Sequence, residues 1–259
     1  MIDNMKGFGG AQRVIANLCN ELIQQGNSVM LLLTGNVTET VYKLENSIII
    51  KAFDDMSKIK KLHELRKTVV EFKPNVVVSF LTMVNIMAGI TTLGTKIPLI
   101  ICGRNDPDYC TKREKKLSRL FYRFADVAVV QTEDIRNKLR KIYHGKTEII
   151  ENPLIDHAIN KIDYTPTHKI VAVGRLSKQK NYRLMLSAFS DFLINYSDYI
   201  LDIYGVGELE TELKEYANQL KIDKSVNFKG NSNAVLELEK SYDFYIMSSD
   251  HEGMSNALA

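Results

Sequence analysis

Short apolar runs alternate along the whole chain with longer stretches in which apolar residues recur every three to four positions. The first pattern predicts buried strands and the second predicts amphipathic helices. Their repeated βαβα order predicts parallel sheets covered by helices. Residues 2–5 read as the tail of a strand, and Lys6-Gly-Phe-Gly-Gly10 as a glycine-rich turn. A helix follows with Val14, Ile15, Leu18, Cys19, Leu22 and Ile23 on one face, stopped by Gly26. Strands are predicted at 28–34 and 48–53, then a lysine-rich helix that begins at Lys58 and ends before Pro74. A strand at 76–80, a helix at 83–93 and a strand at 98–102 come next. The first half closes with a second basic helix at 112–124, a strand at 127–131, a helix at 133–143 and a strand at 147–150.

Glu151-Asn-Pro-Leu-Ile-Asp156 leads into a polar stretch without periodicity that runs to Thr165-Pro-Thr-His168. Two prolines and low hydrophobicity place the domain boundary there. The prediction is one Rossmann-like domain over 1–156, a linker over 157–168 and a second Rossmann-like domain over 169–259. Within the second, strands are predicted at 169–174, 199–204, 226–229 and 243–247, and helices at 182–195, 209–220 and 233–240.

Composition changes this picture little. The 259 residues are 45% hydrophobic and 25% charged, as in a soluble globular protein. No window approaches the roughly 18 uninterrupted apolar residues of a membrane span, and Met-Ile-Asp-Asn-Met-Lys-Gly lacks the apolar core of a signal peptide. Cys19, Cys102 and Cys110 form neither a metal-ligand spacing nor an even disulfide set, so free thiols in a reducing cytoplasm are the expectation. A net charge of +3 is too small to argue for nucleic acid. The bases are clustered, however, in residues 58–67 and 112–123. In the second cluster Leu117, Leu120, Phe121 and Phe124 give an apolar stripe beside a basic face. Such a helix either lies on an anionic bilayer or packs its stripe into the core.

Four stretches carry candidate chemistry. The Gly7/Gly9/Gly10 turn opens a helix, but it lacks the third glycine of G-x-G-x-x-G, and the next strand ends in Thr34-Gly35 without an acidic residue for a ribose. Those two gaps count against a nicotinamide enzyme. Ile170-Val-Ala-Val-Gly-Arg-Leu-Ser-Lys-Gln-Lys-Asn181 is a strand that ends in Gly174 and is followed by Arg175 and Lys180. A glycine there admits close backbone approach, and two cations can neutralise a diphosphate from two directions. Ile203-Tyr-Gly-Val-Gly-Glu-Leu209 repeats the strand–glycine–helix pattern with Gly205 and Gly207. In Ser248-Ser-Asp-His-Glu-Gly-Met-Ser-Asn-Ala257, Glu252 can accept sugar hydroxyls while the N–H groups after it face a phosphate. Taken singly, each is also an ordinary turn, with Glu252 a helix N-terminal acid. Three such edges in one half-domain favour a nucleotide-diphosphate site.

Together these stretches resemble the family 4 retaining glycosyltransferases over essentially the whole chain. The resemblance rests on Gly-Gly-Ala-Gln-Arg-Val, Val-Gly-Arg-Leu-Ser-Lys-Gln-Lys-Asn, Tyr-Gly-x-Gly-Glu-Leu and Ser-Ser-x-x-Glu-Gly-Met-Ser-Asn-Ala-Leu-Ala. It implies a GT-B fold, two Rossmann-like parallel-sheet domains facing a cleft. It further implies that Arg175 and Lys180 hold the donor's diphosphate, helped by Gly174, Gly205 and Gly207. Gly9 and Gly10 would let the first domain's backbone approach the same phosphates. Glu252 matches the first glutamate of the family's E-x7-E motif, near the donor sugar, with N–H groups of Gly253, Met254 and Ser255 around it. Gly230 and Asn231 would border the nucleobase. Arg104 and Asn105, in a segment resembling the Glu-Arg-Asn of polysaccharide-building members, are acceptor-side candidates, and Gly103 stands where that acid usually does. No metal or other cofactor is implied.

The implied reaction moves a sugar from a nucleotide-diphosphate donor, expected to be UDP-linked, to a glycan or polyprenyl-linked acceptor in cell-surface polysaccharide assembly. The implied location is cytoplasmic, with peripheral attachment to the inner membrane face evenly weighed against none. The second glutamate of E-x7-E falls one position past Ala259, and most of a first strand is missing. The expectation is therefore a segment of a longer enzyme, a split gene product or a remnant. The competing readings are a non-catalytic fragment and a sugar-nucleotide epimerase on the same fold.

Overall fold

The computed structural model describes residues 1–5, 10–35, 42–104, 106–152, 165–231 and 241–252. The chain divides into two compact units, Met1–Leu154 and Ile155–Glu252. The predicted linker lies outside the described residues as far as 164.

In the first unit β1 (Met30–Leu33) pairs parallel with β2 (Ile49–Ala52). β3 (Val77–Phe80), β4 (Leu99–Cys102), β5 (Val127–Val130) and β6 (Lys146–Ile149) form a second parallel sheet in sequence order. The first residues of the chain join the two. Ile2 N–H donates to Leu32 O at 3.1 Å and Ile2 O accepts from Thr34 N–H at 2.9 Å, while Met1 O accepts from Phe80 N–H at 3.0 Å. Residues 2–5 thus open on a central strand position, with Ile2 and Met5 fully buried. Chain order runs outward on one side through β1 and β2, then restarts on the other with β3.

The helices follow the predicted rhythm with three corrections. α1 (Gly10–Gln24) buries Gln12, Ile15, Ala16 and Cys19, while Leu18 is 37% exposed. Its buried face is turned from the predicted stripe, and Gln12 is accommodated because its Nε2 donates to Asn4 O at 3.4 Å. α2 (Lys58–Phe72), α3 (Thr82–Thr92) and α4 (Lys112–Phe121) pack side by side, with α3 between the two basic helices. Arg66 donates to Thr91 O and Leu93 O at 2.9 and 2.7 Å, so one base of α2 caps the α3 C-terminus. α4 opens with a reciprocal Thr111/Glu114 capping box. It stops at Phe121, and Phe124 falls in a 3-10 turn. Leu117 and Phe121 lean on the core, whereas Leu120 is 45% exposed. α5 (Glu133–Leu139) is shorter than predicted, yet Ile142 and Tyr143 beyond it stay buried. Cys19 and Cys102 are buried free thiols, and Cys110 is half-buried.

The second unit is one parallel sheet in the order β10-β7-β8-β9. The strands are β7 (Lys169–Val173), β8 (Ile200–Tyr204), β9 (Val226–Gly230) and β10 (Phe244–Tyr245), the last shorter than predicted. The helix predicted at 233–240 lies outside the described residues. One sheet face presents Ile170, Ala172, Leu201 and Ile203 to α6 (Tyr182–Leu193) and α7 (Glu210–Gln219). Each fully buried Leu or Ile in that layer contributes about 1.5–3 kcal/mol. The opposite face carries Asp202, 4% exposed, whose carboxylate accepts from Asn227 Nδ2 and Tyr242 Oη at 2.7 Å each. A buried carboxylate needs such partners. Here they tie β8, β9 and the approach to β10 together.

Candidate functional site

In the second unit the chain steps from β7 to β8 to β9 in one direction, then returns to place β10 on the other side of β7. The direction of winding reverses between β7 and β10. In open parallel sheets, ligands bind outside the carboxyl ends of the strands at such a reversal. Here those ends carry Gly174–Arg175 and Ser248–Glu252.

The loops are held together by backbone contact that only glycine permits. Gly174 N–H donates to Tyr204 O at 2.9 Å, Leu176 N–H to Val206 O at 3.1 Å and Leu209 N–H to Leu176 O at 3.1 Å. A Cβ on Gly205 would lie 1.9 Å from Gly174 O, and one on Gly207 would lie 2.2 Å from Leu176 O. Gly205 N–H also donates to Gly230 O at 2.7 Å, drawing in the end of β9. A Cβ on Gly174 would stand 3.1 Å from Lys180 Cε.

Two cations and a carboxylate converge on this edge. Lys180 Nζ pairs with Glu252 Oε1 at 2.5 Å, the two side chains being 18% and 22% exposed. Arg175 is exposed, and among the described residues no side chain pairs with it. The backbone around the pair is fixed across the 72 residues that separate it. Ser248 Oγ donates to Lys180 O and Asn181 O at 2.9 and 3.0 Å, Asn181 Nδ2 to Asp250 Oδ1 at 2.7 Å, and Gln179 Nε2 to His251 O at 2.9 Å. Asp250 N–H donates to Gln179 O at 2.9 Å. Asn181 adopts a left-handed conformation (φ 46°) and its Oδ1 accepts from Leu184 N–H, so it both turns the loop and caps α6.

Two tyrosines stand behind the loop. Tyr182 Oη donates to Gly174 O at 3.0 Å and Tyr245 Oη to Val173 O at 3.4 Å. Burial, and then the neighbouring Tyr245 and Glu252 charges, push the Tyr182 phenol upward. Burial and the Glu252 charge push Tyr245 up to about 12. Both therefore stay protonated at neutral pH and serve as donors to the loop carbonyls.

Arg175, Lys180, Glu252, Gly174, Gly205, Gly207 and Gly230 thus share one sheet edge in the second unit, with Asn231 exposed just after β9. Gly10 begins α1 in the first unit, beyond the central strand position where winding reverses there. Gly9, Asn105, Gly253, Met254 and Ser255 lie outside the described residues.

Arg104 stands past β4 at the first unit's carboxyl edge. Its guanidinium donates to Asn152 Oδ1 and lies over the Phe80 ring, 5.2 Å from the centroid. Burial pulls its pKa below the ordinary arginine value. Asn152 Oδ1 also accepts from Gln131 Nε2 at 2.7 Å. Leu81, which opens α3 on this edge, has φ 76° and ψ 144°, a strained conformation for a branched residue. Sequence reasoning missed Gln131, Tyr182 and Tyr245, none of which has a local signature, and read Asn152 only as part of the Asn-Pro-Leu-Ile segment at the domain boundary. Asn181 carried one: an Asn immediately before an apolar helical pattern. Asn152→Ala removes the shared acceptor of the buried Gln131 amide and the half-buried Arg104 guanidinium, so its expected cost is about 1–3 kcal/mol in chemical denaturation. Asn152→Asp, which keeps the acceptor, should retain most of that stability.

Comparison with known proteins follows the same division. Residues 8–156 match the family described as Glycosyltransferase Family 4, and residues 156–259 match Glycosyl transferases group 1. The chain is 28% identical to the Campylobacter jejuni GalNAc-alpha-(1->4)-GalNAc-alpha-(1->3)-diNAcBac-PP-undecaprenol alpha-1,4-N-acetyl-D-galactosaminyltransferase, across 96% of this chain and 72% of that protein. It is 24% identical to the amylovoran biosynthesis glycosyltransferase AmsD of Erwinia amylovora, across 100% and 76% respectively. Among solved structures, Anabaena HepE in complex with UDP and glucose superposes with a TM-score of 0.75 at 15% identity, covering 96% of this chain and 73% of that one. The fold is that of the GT-B glycosyltransferases.

Proposed function

Since the chain belongs to glycosyltransferase family 4, we propose that its second unit binds a nucleoside-diphosphate sugar at the β7/β10 edge for transfer with retention of anomeric configuration. The observation that carries this reading is the convergence there of an exposed Arg175, without a side-chain partner among the described residues, and a Lys180–Glu252 pair on glycine-lined backbone. The donor's diphosphate lies against Arg175 and Lys180, and the Glu252 carboxylate accepts hydroxyls of the sugar. As the bond from the anomeric carbon to the phosphate oxygen breaks, negative charge builds on the leaving diphosphate. The two cations stabilise it in place. The acceptor hydroxyl oxygen bonds to the same face of that carbon, and its proton passes to the departing phosphate oxygen. The products are the glycosylated acceptor and the nucleoside diphosphate. No metal and no cofactor takes part in this scheme.

UDP is the proposed nucleotide, supported by its presence in the HepE structure. A glycan on a polyprenyl diphosphate is the proposed acceptor, supported by the name of the Campylobacter jejuni relative. Arg104 is the proposed acceptor-side cation, with Asn105 beside it, and Gly9, Gly10, Gly253, Met254 and Ser255 are proposed backbone contacts to phosphate and sugar. Gly230 and Asn231 are proposed to border the base. The direct test is a panel of UDP-, GDP- and ADP-linked sugars with an undecaprenyl-diphosphate glycan, read as product mass and anomeric configuration. A retained linkage from a UDP-sugar is expected. An inverted linkage, or an epimerised donor as the sole product, would overturn the reading.

Such an acceptor sits at a membrane surface, and no helix among the described residues is long and apolar enough to cross one. We propose peripheral attachment to the cytoplasmic face through α4. Lys112, Arg113, Lys116, Arg119 and Leu120 are all exposed on it. Each base near an anionic surface contributes about 1 kcal/mol. Arg113→Glu, Lys116→Glu and Arg119→Glu together should therefore weaken binding to phosphatidylglycerol vesicles by about 100-fold or more. Unchanged sedimentation with those vesicles would sink the idea.

A further inference from the structure

We infer that Glu252 discriminates between a nucleoside diphosphate that carries a sugar and one that does not, by competing with the diphosphate for Lys180. This rests on the donor-site reading above and adds a role for the Lys180–Glu252 ion pair.

The pair is built, not incidental. Lys180 closes the 3-10 turn Lys178–Lys180, and its carbonyl accepts from Ser248 Oγ at 2.9 Å. Glu252 ends the segment that Gln179 and Asn181 hold through His251 O and Asp250 Oδ1 at 2.9 and 2.7 Å. Both partners of the 2.5 Å contact are therefore positioned by backbone on opposite sides of the crevice, with most of each side chain out of solvent. A partly buried pair is screened far less than a surface one. Arg175, in contrast, is exposed and unpaired among the described residues, so it is available to phosphate from the start.

A diphosphate that reaches Lys180 arrives beside the Glu252 carboxylate. It must share or displace that carboxylate from the ammonium, and it brings like charge close to it. The neighbouring phenols offer no alternative partner, because Tyr182 and Tyr245 donate to Gly174 O and Val173 O. With a sugar attached, its hydroxyls replace the ammonium as donors to Glu252, and the exchange is nearly balanced. Without a sugar, the carboxylate faces the phosphates without the hydroxyl donors that would replace the ammonium. The substrate is thereby preferred over the product nucleotide. Once the sugar has been transferred, the same repulsion favours release of the nucleoside diphosphate.

The test is calorimetric titration of the full chain with UDP and with UDP-linked hexoses and N-acetylhexosamines, for wild type, Glu252→Gln, Lys180→Met and the double variant. Glu252→Gln is expected to bind UDP about three- to tenfold more tightly than wild type while binding the best UDP-sugar no more tightly. In the Lys180→Met background the same substitution should tighten UDP by less than it does in wild type, because the competition for the ammonium is gone and only the direct repulsion remains. Glu252→Ala, which also removes the carboxylate, should tighten UDP in the same way and guards against a peculiarity of the amide. Looser UDP binding in both Glu252 variants, or equal tightening of UDP and UDP-sugar, would overturn the inference. Wild-type protein that binds neither UDP nor any sugar nucleotide would instead overturn the donor-site reading on which it stands.

Discussion

Lys180→Ala is expected to lower the rate of sugar transfer by about 10²–10³-fold, the usual effect of removing one preorganised donor to a developing oxyanion. The loss should fall on kcat as well as on donor affinity, because charge on the diphosphate is greatest as the glycosidic bond breaks. Arg175→Ala should act in the same direction for the same reason. The two variants differ in their effect on the fold. Arg175 is exposed and has no side-chain partner among the described residues, so its removal should leave the unfolding free energy within about 0.5 kcal/mol of wild type. Lys180 neutralises a carboxylate that is 22% exposed, so its removal should also cost a measurable part of the second unit's stability. Lys180→Arg keeps the charge but not the compact ammonium that fits beside Gly174, and a partial rescue is expected. Transfer rates measured alongside urea denaturation separate the two effects. Full activity in either alanine variant would remove that residue from the diphosphate site.

Gly205→Ala is expected to be among the most destabilising single-methyl additions in the chain. The new Cβ would sit 1.9 Å from Gly174 O, and the atom it meets is backbone fixed between two strand ends. Neither partner is the movable end of a side chain. Gly205 also has φ +142°, which an L side chain rarely adopts. Relief requires that the β7 and β8 loops part, which breaks the Gly174 N–H to Tyr204 O bond of 2.9 Å. A loss of about 3 kcal/mol or more in the second unit is expected, together with loss of donor binding. Gly230→Ala provides the contrast. Its Cβ would meet nothing within 4 Å, so only its positive φ of +68° acts against it. That conformational cost is about 1–2 kcal/mol. Wild-type denaturation midpoints for Gly205→Ala would contradict the interlocked-loop description.

Much of this architecture was legible from periodicity and punctuation. Apolar runs at 76–80, 98–102 and 127–131 became strands with no exposed residue between 77 and 80, 99 and 102, or 127 and 130, and a strand covered on both sides is apolar at most positions rather than at alternate ones. The cation-bearing loop after β7 was legible because a glycine, an Arg and a Lys lie within seven residues of one another at a strand end. What stayed hidden is set by distant pairing. Nothing local links Lys180 to Glu252, 72 positions apart, or Arg104 to Asn152, 48 apart. The buried face of α1 also turned away from the apolar stripe. Gln12 satisfies its amide on Asn4 O and so occupies an inward position that hydrophobicity alone assigns to Leu18. The first residues supply a further case. Too short to read as more than a strand tail, they lie between β1 and β3 and make two sheets continuous.

The central claim is that the β7/β10 edge of the second unit is the donor site. The measurement that tests it most directly is amide hydrogen exchange of the full chain with and without UDP. Added protection is predicted in residues 174–181, 205–209 and 248–252, with the centre of that sheet unchanged. In Arg175→Ala/Lys180→Ala the added protection should disappear while exchange in the core strands stays the same. Protection by UDP that falls elsewhere, or that survives the loss of both cations, would contradict the account.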